Sequence, residues 1–257
     1  MILLDPSARP VIGHRGNRAH APENTLPSLL EAVALGVDAV EFDLHVSRDG
    51  VLVLMHDPTL DRTTSGHGAV ADHTLAELRT LDAGARFTNR RGEPSWRGRG
   101  VQIPTFDEVV EALPSSLPLI IELKTPAATV PLELAIRRHN IGHRVIVAGF
   151  DAESTRPMRG SSIALGASPP DVARLLAPSL LRRPIAAPWF QAMCIPPVYR
   201  GIPVPIASLV RAARPHGVMT HVWTVNEPAR AQRLWRAGVS GIISDDPGLI
   251  LAARAGA

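Results

Sequence analysis

The chain has 257 residues, 45% apolar and 20% charged, with 4% aromatics, one cysteine and a formal net charge of +3. That length and apolar content suit one domain with a sizeable core and exclude a disordered or collagen-like chain. The lone Cys194 excludes an intrachain disulfide and a multi-thiolate metal site, and scattered arginines without runs of like charge or interleaved aromatics argue against nucleic acid as a partner.

The apolar runs are too short to span a bilayer, and Ile2-Leu3-Leu4 is too short for a secretory signal, so a soluble, cytoplasmic protein with no membrane anchor is expected. Cys194 reads as a small buried hydrophobe. The mildly positive balance suits an anionic substrate. Only one of the 27 Lys and Arg residues is lysine, Lys124. A compact ammonium in a tight site is the one basic role an arginine cannot easily fill.

In chain order, Val11-Ile12-Gly13 is a buried strand ending in His14-Arg15-Gly16. Leu26, Leu29, Leu30 and Val33 have helical spacing, with Asn24 or Thr25 as cap and Gly36 as stop. Val37 to Val46 is a second strand. Arg48-Asp49-Gly50 is a turn, and the apolar run Val51 to Met55 follows too closely for a parallel crossover, so a hairpin is expected. A turn centred on Arg48-Asp49 pairs Val46 with Val51 and Glu41 with His56, which puts Glu41, Asp43 and His56 on one face.

Residues 57 to about 103 are Gly- and Arg-rich with one short helix, Leu75 to Leu81, and read as an insertion subdomain within a single domain spanning 1–257. Thr105 caps a helix running to Leu113. Leu119 to Lys124 and Val145 to Val147 are strands. Beyond them lie a strand at Ile163 to Leu165, a helix around Asp171 to Leu176, a strand near Ile185-Ala186 and a helix around Ala207 to Ala213. Val218 to Val225, a helix at Glu227 to Ala237 stopped by Gly238, and Gly241 to Ser244 close the set. About eight strands with mostly helical crossovers predict an α/β (β/α)8 TIM-type barrel with a small insertion after the second and third strands. No Gly-x-Gly-x-x-Gly follows a strand, which excludes a dinucleotide fold.

In such barrels, polar residues at the C-terminal strand ends carry the chemistry. Here these are His14, Arg15, Glu41, Asp43, Glu122, Lys124 and Trp223. Spacing of two places Glu41 with Asp43, and Glu122 with Lys124, on shared faces. An isolated Glu-x-Asp is more often a solvated face than a ligand pair, but Val40, Phe42 and Leu44 flank this one. Three carboxylates inside an apolar barrel repel each other, and a divalent cation relieves that, with all-oxygen donors suiting Mg²⁺ or Ca²⁺. A lone histidine is more often structural. Two histidines, His14 and His56, expected near three carboxylates are a different matter, because phosphodiester cleavage needs a base to activate an oxygen nucleophile and an acid to protonate the leaving alkoxide. Arg15 would hold phosphate oxygens as a fork and Lys124 as a point charge.

These residues fall into a known pattern. His14-Arg15-Gly16, Pro22-Glu23-Asn24-Thr25, Glu41-Phe42-Asp43-Leu44, Ser47-Arg48-Asp49-Gly50, His56-Asp57 and Leu60-Asp61-Arg62-Thr63-Thr64 follow in order. Ile103-Pro104-Thr105-Phe106, Glu122-Leu123-Lys124, Trp223-Thr224-Val225-Asn226 and Gly241-Ile242-Ile243-Ser244-Asp245 complete it. Over about residues 11 to 250 the chain resembles the glycerophosphodiester phosphodiesterase family. The resemblance implies that His14 and His56 are the acid–base pair and that Glu41, Asp43 and Glu122 hold one divalent cation. It implies that Arg15 and Lys124 bind phosphate and that Trp223 walls the substrate pocket. It further implies a small-molecule substrate, a glycerophosphodiester, cleaved to sn-glycerol 3-phosphate and an alcohol by attack of the glycerol 2-hydroxyl through a cyclic phosphate. Gly149-Phe150, where many members have a serine before the phenylalanine, Ser244-Asp245-Asp246-Pro247 and the stretch Met158 to Arg200 depart from the family pattern.

Other readings compete. Lysophospholipid cleavage by the same chemistry is one, with Trp189, Phe190 and Tyr199 either lining an acyl path or belonging to core and rim. A Schiff-base barrel enzyme using Lys124 is another, although nearby carboxylates would keep that lysine protonated. A third is a non-catalytic phosphate-binding barrel. Neither the metal's identity nor the oligomeric state is written in the sequence.

Overall fold

The computed structural model of the chain describes residues 1–89, 92–149 and 151–255, so Phe150 lies outside the described residues. Among the described residues, eight parallel strands form a ring: β1 (Val11–His14), β2 (Ala39–Val46), β4 (Leu119–Leu123), β5 (Val145–Gly149), β6 (Ala164–Leu165), β7 (Ala192–Ile195), β10 (Met219–Val222) and β11 (Gly241–Ser244). Ladders join them in that order and return from β11 to β1. The last seam is thin: Gly166 bridges Ala192, and Gln191 N–H donates to the Leu165 carbonyl at 2.9 Å.

Each parallel connection must cross a face of the sheet, and helices supply most of the crossings. They are α1 (Leu26–Ala34), α3 (Phe106–Ala112), α4 (Thr129–Arg138), α5 (Ala152–Thr155), α6 (Pro169–Leu180), α7 (Ile206–Ala213) and α8 (Pro228–Arg236), while α9 (Pro247–Ala255) follows the last strand and packs against β1 and β11. Their starts are chemically set. Thr25 Oγ1 accepts from Ser28 N–H at the head of α1, and Thr105 with Glu108 forms a reciprocal capping box at α3. α4 and α9 were not foreseen, because Pro131 interrupts the apolar spacing of the first and Pro247-Gly248 opens the second.

The two faces of each strand go to different places. On β2, Val40, Phe42 and Leu44 point outward into the layer packed under the helices, where Phe42 and Phe106 rings sit 6.3 Å apart. The alternate residues point into the barrel. Its closed lower end is filled by Ile12, Ala39, Ile120, Ile146, Ala192 and Ile243, plugged by the N-terminal turn Ile2–Leu4. The upper end is lined by charge.

Two sequence expectations need correction. No strand forms at Ile185-Ala186; Ile185 is buried in the outer core as coil, and the strand is Ala192–Ile195. Pro184 and Pro188 flank the expected strand and cannot donate to a ladder, whereas Ala192 to Ile195 pairs fully with β10. The hairpin between β2 and β3 (Leu52–Leu54) is also one residue out of the expected register, with Val46 opposite Leu52 and Leu44 opposite Leu54. Gly50 sits at φ 83°, so the connection is a three-residue turn closed by Ser47 N–H donating to the Val51 carbonyl at 2.9 Å.

The segment after β3 carries α2 (Leu75–Leu78), and its Leu60, Val70, Leu78 and Ile103 form an apolar cluster with Val53 and Met55. It leans on the loop after β1, where Trp96 Nε1–H donates to the His20 carbonyl at 2.9 Å.

Candidate active site

The turn after β1 builds one side of the charged end. Arg15 and Gly16 have φ of 52° and 89°, which reverses the chain within two residues. A Cβ on Gly16 would lie 2.4 Å from Ser28, so only glycine fits between the turn and the first turn of α1. Ser28 Oγ donates to the Arg15 carbonyl at 2.9 Å, fixing the turn to α1. The Arg15 N–H is thereby aimed at Glu41 Oε2, 3.1 Å away. Asn24, also left-handed at φ 57°, donates Nδ2–H to Asp43 Oδ2 at 2.8 Å and accepts the Asp43 N–H at 3.2 Å.

Glu41, Asp43 and Glu122 converge because β2 and β4 pair Asp43 directly opposite Glu122. Each offers a carboxylate oxygen, and these atoms lie within 4.8 Å of one another. Asp43 is only 1% exposed. Two cations meet it: Arg15 Nε lies 3.0 Å from Oδ2 and Lys124 Nζ 2.9 Å from Oδ1, with Lys124 also 2.7 Å from Glu122 Oε1. Burial alone would push the Asp43 carboxyl up, but Lys124 and Arg15 outweigh it and hold the group below its ordinary range. At Glu41 the Arg15 and Lys124 charges do not outweigh the opposing effects. Burial first, and the Asp43 and Glu122 charges second, push it well above the usual carboxylate range, and Glu122 is raised for similar reasons. A trio of oxygen donors with two members reluctant to ionise lacks positive charge, and all-oxygen donors are the set a hard divalent cation takes.

Both candidate histidines are oriented by carboxylates. His14 Nδ1 is 2.6 Å from Asp245 Oδ1, and its Nε2 is 3.9 Å from Glu41 Oε2. His56 Nδ1 is 2.6 Å from Asp57 Oδ1. Asp57 is held down to about 2, chiefly by its hydrogen bond from Arg62, and Asp245 is held below its ordinary range by His14 against the effect of burial. Ionised carboxylates only accept, so each Nδ1 carries a proton and each Nε2 is left to the cavity. Burial lowers the proton affinity of both rings. Glu23 ties the two sides together: it takes Arg15 Nη1 at 2.7 Å and Arg62 Nη2 at 2.6 Å, and Arg62 Nε grips Asp57 at 2.6 Å.

A cavity of about 370 Å³ opens here, lined by His14, Arg15, Glu41, His56, Glu122, Lys124 and Trp223 among others. Asp43 lies behind its wall, in contact with Arg15 and Lys124. The eight residues singled out in the sequence therefore meet in one place. His56 arrives by a different route from the one expected. The Met55 N–H makes a last ladder bond to the Asp43 carbonyl at 3.1 Å, beyond the end of β3, and His56 lies after it on chain that has left the strand. Cys194 also differs from expectation. It lies on the inner face of β7 at the cavity wall, and burial followed by the Glu41 and Glu122 charges pushes its thiol up, keeping it protonated. The Lys124 ammonium is likewise held charged by Asp43 and Glu122 against the effect of burial, which disfavours a Schiff-base role.

Asp245, Asp57 and His45 had no assigned role in the sequence. His45 extends the Glu41, Asp43 spacing of two and reaches the cavity, with its Nε2 3.3 Å from the His56 carbonyl. Asp245 directly follows β11, a strand end like the others, and Asp57 adjoins His56; both signals were present.

Comparisons with known proteins agree with this geometry. Residues 14–249 match the model of the glycerophosphoryl diester phosphodiesterase family. A glycerophosphodiester phosphodiesterase of Caldanaerobacter subterraneus subsp. tengcongensis is 36% identical over 248 residues, 92% of this chain and 94% of that one. One from Bacillus subtilis is 32% identical, covering 96% of this chain and 87% of the relative. Among solved structures, an Oleispira antarctica phosphodiesterase in complex with the product sn-glycerol-3-phosphate superposes with a TM-score of 0.78 at 26% identity, covering 96% of this chain and 97% of that one. With a closed eight-stranded barrel, one charged cavity and relatives matched along nearly their full length, this chain belongs to the glycerophosphoryl diester phosphodiesterase family.

Proposed function

We propose that the chain hydrolyses glycerophosphodiesters to sn-glycerol 3-phosphate and an alcohol, using one divalent cation and His14 and His56 as its acid–base pair. The observation that carries this is the convergence of three carboxylates and two carboxylate-held imidazoles on one cavity. The product bound to the Oleispira antarctica relative fits the same substrate class.

Glu41, Asp43 and Glu122 would hold Mg²⁺ or Ca²⁺. When bound, such an ion offsets the carboxylate repulsion and supplies positive charge to the phosphoryl oxygens. The remaining steps belong to the chain's own groups. Arg15 and Lys124 face the cavity and hold the phosphate. One imidazole takes a proton at Nε2 from the attacking glycerol 2-hydroxyl and the other delivers one to the leaving oxygen. Water then opens the resulting cyclic phosphate, giving up a proton to one imidazole while the other protonates the departing 2-oxygen, which leaves sn-glycerol 3-phosphate. Asp245 and Asp57 keep each ring in the tautomer that leaves Nε2 available. Trp223 forms part of the cavity wall.

The test is release of glycerol 3-phosphate from glycerophosphocholine and glycerophosphoethanolamine with Mg²⁺, with Ca²⁺ and with chelator. Release should need metal and fall at least about 10²-fold in His14→Ala. Release that survives chelation, or is untouched in His14→Ala, would refute this assignment.

A further inference from the structure

His56 lies on chain that has left the sheet, so side chains rather than a ladder must hold it. Its Nδ1 meets Asp57 at 2.6 Å, and Asp57 is in turn gripped by Arg62. The grip is a fork: Arg62 Nε donates to Asp57 Oδ2 at 2.6 Å, and Nη2 donates to Oδ1 at 3.1 Å. The same guanidinium makes a second fork on Glu23, with Nη1 donating to Oε2 at 3.0 Å and Nη2 to Oε1 at 2.6 Å. Together these bonds take up four of the five N–H donors of Arg62. A planar fork fixes the tilt of a carboxylate as well as its position, which a single ammonium does not.

Glu23 is itself firmly placed. It also receives Arg15 Nη1 at 2.7 Å and lies 3.2 Å from Arg18 Nη2. Burial would push its carboxyl up, but Arg62, Arg15 and Arg18 hold it well below its ordinary range. Arg18 continues toward the other histidine, with Nη1 3.6 Å from Asp245 Oδ1. One carboxylate therefore stands behind both histidine–aspartate pairs. It is tied tightly on the His56 side and loosely on the His14 side, where Asn226 also holds Asp245 at 3.2 Å. His56 and Pro58 line the cavity, whereas Arg62 does not. The route from Arg62 to the chemistry accordingly runs through Asp57.

We propose that Arg62 is a positioning residue: by clamping Asp57 against Glu23 it keeps the His56 ring protonated at Nδ1, with Nε2 free for the cavity. This rests on the hydrolytic reading above, in which His56 moves a proton. The side chains of His56 and Asp57 are 34% and 25% exposed, so neither is fixed by burial. An unclamped carboxylate there would divide its time between the ring and water, and the fork removes that freedom before substrate arrives. Arg62 is 45% exposed, and exposed ion pairs add little to stability. The effect of losing it therefore falls on the ring rather than on the fold.

The experiment reads the ring first and the rate second. In protein labelled with ¹⁵N-histidine, at a pH where both rings are neutral, the ring-nitrogen shifts of His56 report which nitrogen carries the proton. They are assigned by their loss in His56→Ala, and the shifts of His14 serve as the control. Arg62→Ala should turn the single His56 tautomer into a mixture and leave His14 unchanged, and Glu23→Gln should also mix the His56 tautomers. For glycerophosphocholine, with whichever of Mg²⁺ and Ca²⁺ supports release, Arg62→Ala should lower kcat about 10- to 100-fold with KM within about twofold, the effect of losing a charge-assisted hydrogen bond. Arg62→Lys keeps the charge without the fork and should stay at least about fivefold below wild type in kcat; full activity in that variant would overturn the fork. An unmoved His56 tautomer in either Arg62→Ala or Glu23→Gln overturns the clamp. So does a kcat of Arg62→Ala within about twofold of wild type, or an equal change in both rings, which marks general loosening. If the wild type hydrolyses nothing, the hydrolytic reading fails instead, and the ring shifts still decide whether Arg62 holds His56.

Discussion

Asp245→Asn replaces one carboxylate oxygen by an amide NH2 and tests whether His14 works through its orientation. The Asp245 carboxylate accepts from His14 Nδ1 at 2.6 Å and also from Asn226 Nδ2 at 3.2 Å, with Arg18 Nη1 3.6 Å away. An amide keeps this shape but presents either a donor or a neutral acceptor to the ring. As a donor it forces the proton onto Nε2 and removes the free lone pair. As a neutral acceptor it loses charge assistance. A hydrogen bond to a charged group contributes about 1.5–3 kcal/mol, which translates to a loss of roughly 10- to 150-fold in kcat/KM. Asp245 is also a group that raises the His14 proton affinity against burial, so its loss lowers that affinity further. The sign is then diagnostic. If His14 is the base, the acidic limb of the kcat/KM profile moves to lower pH; if it is the acid, the basic limb does. The assay is a pH series of kcat/KM for wild type and Asp245→Asn, with thermal melts as a folding control. A variant within twofold of wild type, with both limbs unmoved, would refute the positioning role.

Metal removal should destabilise the protein as well as silence it: a cation at 100 times its Kd adds about 2.7 kcal/mol, so adding excess chelator should lower the melting temperature, and Glu41→Gln should abolish that difference. Phe42 is fully buried against Phe106, and Phe42→Ala should cost about 3–5 kcal/mol in urea unfolding, since a large ring leaves a cavity. His221 is fully buried inside the barrel, and burial pushes its ring down from 6.5 to about 4. It stays neutral in the fold while the unfolded chain takes up a proton. Stability is therefore complete above pH 6.5 and declines toward pH 4, by about 3 kcal/mol at about 1.36 kcal/mol per unit; urea midpoints of His221→Leu should fall less than those of wild type between pH 7 and pH 4.5. Gly16→Ala should displace Arg15, because its Cβ meets Ser28 at 2.4 Å, and would show as a raised KM together with lowered stability.

Much of this molecule is legible in the order of its residues, for a local reason. Alternation along β2 sends Val40, Phe42 and Leu44 to one side and Glu41, Asp43 and His45 to the other, and that periodicity belongs to the strand alone. Thr25 and Thr105 cap the helices that follow them by bonds spanning three residues. The barrel and the shared face of the carboxylates follow from such short-range rules.

What needed tertiary structure is whatever depends on partners distant in the chain. The hairpin register shifted by one because Gly50 took a left-handed conformation, a choice between turn types that Arg48-Asp49-Gly50 leaves open. The strand at Ala192–Ile195 outcompeted Ile185-Ala186 only because β10 was there to pair with it. Asp245 reaches His14 across 231 positions, and Glu23 joins Arg15 to Arg62 across the mouth of the cavity. An apolar cavity also opens between α6 and the hairpin of β8 (Val198–Tyr199) and β9 (Ile202–Pro203), and of the residues in these two walls the sequence singled out only Tyr199, for the same reason. Its walls come from a helix and a hairpin, each unremarkable alone, and only closure of the ring brings them face to face beside the carboxylates.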